Sequence, residues 1–225
     1  MKKSNILLII TLSIVCICFI AVNIKLSTEY NKGAIQSVTQ KKILPIFHHI
    51  KELNGLKNID YTYKPIISIY ERKDTSAIAY NFYNPIGYQY FVKNDTLYLK
   101  ADSTFDGSIP SIEIYCKNLR SVITSNSQAT LYNYKTDSIY LESNEHSSIN
   151  AIQINSKSLK LRAQDNSTLS VSGVDTIHKG EIRAKHNGLI IMNNIYFKEQ
   201  LLSIDSTASL TVSGKTLKGL NRMQF

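Results

Sequence analysis

From Val122 onward, apolar and polar positions alternate in short runs separated by corners rich in Ser, Asn and Asp. The runs read VITSNSQATLY, IYLESNEHSSINAI, LKLRAQDNSTLSVSG, IRAKHNGLIIM and LSIDSTASLTVSG, and the unit returns about every 20 residues. Alternation with a period of two sends successive side chains to opposite faces of a strand. That parity assigns Val122, Leu131, Ile139, Leu141, Ile149, Leu159, Leu161, Leu169, Val171, Ile182, Ile190, Met192, Ile204, Leu210 and Val212 to an interior. A coil of this length cannot bury its apolar face alone and must stack on its neighbours. The pattern therefore predicts an all-β chain wound as a right-handed parallel β-helix, a solenoid. An antiparallel sandwich also contains many short strands, but it does not require every second strand to begin the same corner.

Upstream of the repeat, KPIISIYERK alternates Ile67 and Ile69 against Ser68 and Tyr70, and TSAIAYNFYN and YQYFVK read as aromatic strands. Asn94-Asp95 marks a turn before the strand that faces Leu97 and Leu99 inward, and Asp106-Gly107 marks another. Ile46, Phe47 and Ile50 fit a short helix or an entering strand equally well. The segment Ile6–Ile24 follows Lys2 and Lys3 and carries no charge. It is just long enough for a transmembrane helix, which needs about 17–25 residues. A cleaved leader and a lipidated cysteine are the rivals, but small residues are missing where cleavage would need them. The expected layout is a cytoplasmic N-terminus over 1–5, a transmembrane anchor over 6–24, a juxtamembrane spacer over 25–42 and the β-helix over 43–225. The two lysines place the β-helix in the periplasm, tethered to the inner membrane, or at the cell surface if the leader is removed.

Charge and cysteine content narrow the picture only slightly. The formal net charge is +9. Lys and Arg are scattered without an Arg-rich stripe, so a solvated basic surface is expected and nucleic acid is not. Cys116 shares parity with Ile112 and Ile114 and reads as a buried structural thiol.

The run IEIYCKNLRSVITSNSQATL, with NDTLYLK before it and LPIFHHIKELNGLKNIDYTY at its head, resembles the auto-transporter adhesin head domain family, also called the GIN domain. The matching positions are Phe47 with Ile50, Asp95-Thr96-Leu97, and Asn118-Leu119 with Val122, and the resemblance spans about Ile43 to Gly219. Where that family has Gly-rich corners, this chain has mainly Ser, Asn and Asp. The resemblance implies a parallel β-helix in a Gram-negative cell envelope with an adhesive role.

Candidate chemistry gathers at the corners. Asn126, Asn144, Asp165, Asn187 and Asp205, with Glu145, His146, Asn166 and His186 beside them, fall near one corner of successive coils and form a candidate polar ladder. Turn chemistry explains most of them, because Asn and Asp tolerate left-handed backbone and hydrogen-bond to it. His48 and His49 are neighbours and point apart. No nucleotide-binding, zinc-protease, nucleophile-elbow or Cys-x-x-Cys motif is present, so no cofactor, no metal and no catalytic residue is assigned. Asp165, Asp175 and Lys179 are the best that a polysaccharide-acting enzyme could use. Five of the nine aspartates precede Ser or Thr in a pattern like a bacterial O-glycosylation sequon, which makes Thr96, Ser103, Ser138, Thr176 and Ser206 candidate acceptors. The function expected is a non-catalytic binding or adhesion module facing glycan or envelope protein. A self-associating envelope scaffold is the alternative, and an envelope sensor a third reading.

Overall fold

The computed structural model describes residues 12, 14–25, 27, 39–53, 64–72, 75–81, 88–101, 111–173 and 176–216. The chain divides into two compact units, Met1–Val38 and Thr39–Phe225. In the first, residues 14–25 are helical with their apolar side chains exposed. Asn23 donates from Nδ2 to the Phe19 carbonyl one turn back, at 2.9 Å. The transmembrane helix expected over 6–24 is not found as a span: among the described residues no helix is long and apolar enough to cross a membrane. Residues 6–11 and 13 of the expected span lie outside the described residues.

The second unit opens with β1 (Thr39–Ile43), β2 (His49–Leu53), β3 (Ile66–Glu71), β4 (Ala77–Asn81), β5 (Tyr88–Lys93), β6 (Thr96–Ala101) and β7 (Ser111–Cys116). After it come β8 (Ser121–Ser125), β9 (Gln128–Tyr132), β10 (Lys135–Asn144), β11 (Ser148–Ala163), β12 (Thr168–Gly173), β13 (Thr176–Ala184), β14 (Leu189–Asn193), β15 (Tyr196–Ile204) and β16 (Ser209–Ser213). One face stacks β2, β8, β10, the second half of β11, β13 and β15, every pair parallel. The other stacks β3, β9, the first half of β11, β12, β14 and β16, again all parallel. The registers advance by one coil at each step: Lys135 lies beside Asn155, Ser158 beside Lys179 and Thr176 beside Tyr196. The product is a β-solenoid of about five turns.

The interior follows the parity of the sequence. Residues from Val122 to Met192 assigned inward are at most 1% exposed and join one apolar cluster. Ile204, Leu210 and Val212 are only partly buried, because they sit in the last described coil and nothing in the described chain stacks beyond it. Ile67, Ile69, Leu97, Leu99 and Cys116 are buried as expected, and Ile50 lies in a strand rather than a helix.

The entry to the solenoid departs from a purely parallel stack. β4 pairs antiparallel with both β1 and β7, and β5 with β6. The β5–β6 hairpin turns at Asn94-Asp95, whose φ angles of 48° and 62° suit a two-residue hairpin turn. Antiparallel partners can close onto a parallel edge with a tight turn, whereas another parallel strand would need a long crossover. The expected turn at Asp106-Gly107 lies outside the described residues.

Two corners per coil redirect the chain through left-handed backbone. At the first corner Asn126, His146, Asn166 and Asn187 have φ near 60°, preceded in three coils by Glu145, Asp165 and His186, also at positive φ. At the second corner Asn133, Gln153, Asn194 and Gly214 have φ of 54–62°. Asn and Asp reach this region at little cost, and Gly at none. β11 passes through the second corner unbroken, with its register shifting between Ala151 and Ile154.

Candidate functional site

Strand pairing sets the first-corner residues in rows. Asn144 aligns with Ser125, and through Ser143, Ala163, Ala184 and Ile204 its row continues to Asp205. Asn126 and Asp165 lie one residue further along, and Asn187 two further. The five ladder candidates therefore share an edge but occupy three rows, and they do not form one column. Their bonds are those of turns. Asp205 accepts from the backbone N–H groups of His186, Thr207 and Ala208 and from the Thr207 hydroxyl, all at 2.8–2.9 Å. The His186 N–H, followed by the Thr207 hydroxyl, lowers its carboxyl to about 2. Asn187 donates to Asn166 at 3.1 Å, and His186 Nδ1 meets Asp165 at 3.1 Å. Asn144 donates to Glu142 at 3.1 Å.

Just inside this corner lies a buried polar cluster that parity did not single out. Ser127, Ser147 and Ser167, one coil apart, are at most 1% exposed, as are Thr124 and Ser143. Ser147 receives the Thr124 hydroxyl at 3.1 Å and lies 2.8 Å from Ser143, and Ser167 donates to the Ser143 carbonyl at 2.5 Å. Glu52 of β2 caps the cluster at its N-terminal end. One carboxylate oxygen accepts from Ser125 N–H at 2.8 Å and from the Ser127 hydroxyl at 2.5 Å. The other has no hydrogen-bond partner among the described residues. Burial pushes this carboxyl up to about 7, against the opposing pull of Ser127 and Ser125.

The outer faces carry three further features. On the β3 sheet, Tyr115, Tyr70 and Tyr132 stack with centroids 5.5 and 5.0 Å apart. Arg72 and Lys41 lie over the Tyr115 ring at 4.8 and 5.3 Å. The ring faces are thus consumed by one another and by cations. On the β10 sheet, Glu181 joins Lys160 and Arg183 at 2.7 Å each, over a shallow cavity of about 380 Å³ that also includes Tyr140 and Arg162. Around the second corner runs a groove of about 470 Å³ lined by Asn118, Arg120, Lys135, Thr136, Asp137, Ser138, Asn155 and Lys157.

Other candidates fall apart in space. His48 bonds both carboxylate oxygens of Asp95 at 2.7 and 2.9 Å, whereas His49 bonds the Ser121 hydroxyl at 2.7 Å. Asp165 follows the end of β11, while Lys179 lies five residues before Ala184, the register partner of Ala163. That separation is roughly 16 Å of strand, and Asp175 lies outside the described residues. Cys116 is fully buried, 3.0 Å from the Tyr134 hydroxyl, and burial pushes its thiol up to about 12. Among the sequon positions Ser138, Thr176 and Ser206 are exposed and Thr96 is half-buried, while Ser103 lies outside the described residues.

No protein-family model and no curated protein sequence matches the chain. Solved structures do. A crystal structure of a "putative adhesin" from Bacteroides fragilis aligns at a TM-score of 0.50 with 14% identity, covering 78% of this chain and 96% of that one. A "putative adhesin" from Parabacteroides distasonis aligns at 0.42 with 10% identity over 77% and 96% of the two chains. A "putative lipid binding protein" from the same species aligns at 0.35 with 13% identity over 78% and 94%. At these identities the likeness is one of fold: the chain shares the β-solenoid of the Bacteroides fragilis protein.

Proposed function

We propose that the chain is a non-catalytic, adhesion-type binding module of the cell envelope, of the auto-transporter adhesin head kind, whose solenoid surface meets a glycan or an envelope protein. The observation that carries this reading is the polar outer face of the β3 sheet, interrupted by Ile191 in one row. Its rows of Thr130, Asn150 and Ser170, and of Ser172, Asn193 and Ser213, repeat hydrogen-bonding groups once per coil. Parallel stacking spaces such rows about 4.8 Å apart and holds them rigidly. Many modest contacts, rather than one deep pocket, would then supply affinity. The "putative adhesin" name of the Bacteroides fragilis relative supports the reading. Right-handed winding is the form that parallel crossovers overwhelmingly adopt. The apolar N-terminal segment would tether the chain to the inner membrane, so that it is recovered in the membrane fraction. On a glycan array and in an envelope pull-down, the chain is expected to enrich a discrete ligand. Equal enrichment by a variant with Thr130, Asn150 and Ser170 replaced by Lys would remove the reading.

The exposed sequons add a modification to it. Ser138, Thr176 and Ser206 stand on the surface beside corners, open to a glycosyltransferase. Intact-mass measurement of the native exported protein should show hexose-sized increments that vanish in the triple Ala variant. A mass equal to the bare polypeptide would end the idea.

A further inference from the structure

We propose that the groove at the second corner binds an acidic polysaccharide, with Arg120, Lys135 and Lys157 pairing its anionic groups. This deepens the adhesion reading and rests on it. The three cations come from separate stretches of chain, the segment after β7, the start of β10 and the middle of β11, and converge on one open groove of about 470 Å³. Only one carboxylate lines that groove, Asp137, and it is paired with Lys157 at 2.8 Å. Among the described residues neither Arg120 nor Lys135 has a carboxylate at ion-pair distance; Glu71 meets the Lys135 backbone N–H at 3.3 Å, not its ammonium.

The basic character continues along the same side of the solenoid. Lys157 lies in the row that runs from Asp137 through His178 to Lys198, with Lys179 and its register partner Glu199 in the next row, and His178, Lys179 and Lys198 are exposed. The opposite corner carries Glu145, Asp165 and Asp205. Arg120, Lys135 and Lys157 occupy different rows of the stack, so they would meet anionic groups at several points across the groove. The remaining lining is hydroxyl and amide, suited to sugar hydroxyls. It contains no aromatic face on which a nucleobase could stack and no apolar patch to enter a membrane.

The test uses the full chain and polygalacturonate at low salt, with the methyl-esterified polymer as the same backbone without charge and single-stranded DNA as a different polyanion. Polygalacturonate should bind, and the esterified polymer should not. The variant R120Q/K135Q/K157Q should lose at least about tenfold in affinity with an unchanged unfolding midpoint, since all three side chains are exposed. The variant K93Q/K100Q/K185Q, which removes as much charge elsewhere, should bind normally. Absence of binding to polygalacturonate, equal losses in the two variants, or DNA binding as tight as the polysaccharide's would each overturn the proposal. A ligand from the array that both variants retain would leave the adhesion reading intact while this one fails; no ligand at all would remove both.

Discussion

Glu52 ties the first strand of the solenoid's stacked face to the corner of the next coil through a single carboxylate. It is 4% exposed and faces Leu99 on one side and the Ser125–Ser127 corner on the other, with the exposed Glu145 adding like charge and Lys64 bound to the nearby His146 carbonyl. His49 and Lys51 of its own strand point outward. The carboxyl titrates near 7 in the folded chain and near 4.5 when unfolded. A raised folded value means that the proton is held more tightly by the native state. Its stabilisation is therefore complete below about pH 4.5 and is lost as pH rises to about 7. The loss is on the order of 3 kcal/mol. Urea unfolding from pH 5 to 8 should show this decline in the parent and a flatter profile in Glu52→Gln; parallel profiles would discount Glu52. Nothing in HIKEL distinguishes this carboxylate from a surface one except its parity with Ile50, and its hydroxyl partners lie more than 70 residues away.

Most elements are short strands pinned between two left-handed corners, and glycines near the corners tolerate an added side chain unequally. At Gly188 an added Cβ would lie 2.3 Å from the Ala163 carbonyl oxygen, a backbone atom of the preceding coil. At Gly173 the same atom would meet Cγ1 of the buried Ile195 at 2.9 Å, a less severe approach to a side chain rather than to backbone. Gly188→Ala should thus lower stability by about 2–3 kcal/mol and Gly173→Ala by about 1 or less, read from urea midpoints. Strand parity and the Asn/Asp corners were legible in the sequence because a period of two and turn chemistry are local. The antiparallel entry strands were not, since Ala77–Asn81 and Tyr88–Lys93 alternate in the same way whichever direction their partners run. Row alignment at the first corner was likewise hidden: the coil-to-coil step is 19 residues between Ser121 and Tyr140 but 21 between Ser158 and Lys179.

At the scale of the whole molecule, each coil touches only its neighbours, so stability is a sum of local interfaces. Leu161 is at the centre of the stack, while Val212 lies half-covered in the last described coil. Leu161→Ala should cost about 2–5 kcal/mol and raise amide exchange across several coils. Val212→Ala should raise it only in β14–β16; uniform acceleration by both would mean that the solenoid opens as one unit. Charge, too, takes its meaning at this scale. Arg120, Lys135 and Lys157 are scattered in the sequence, and winding brings them to one groove.

The buried row running through Thr124, Ser143, Ala163, Ala184 and Ile204 changes steadily from hydroxyl to hydrocarbon, and the row through Ser127, Ser147, Ser167, Gly188 and Ala208 does the same. Coils of nearly equal length could otherwise dock in the wrong sequence, with one looped out and its successor in its place. Looping out a single coil would still bring the Ser147 hydroxyl to Glu52, whereas a coil from the C-terminal half, with Ala184 and Gly188 in these rows, would set hydrocarbon against a carboxylate. The gradient works as an address written into the interior, telling the N-terminal half of the stack from the C-terminal half.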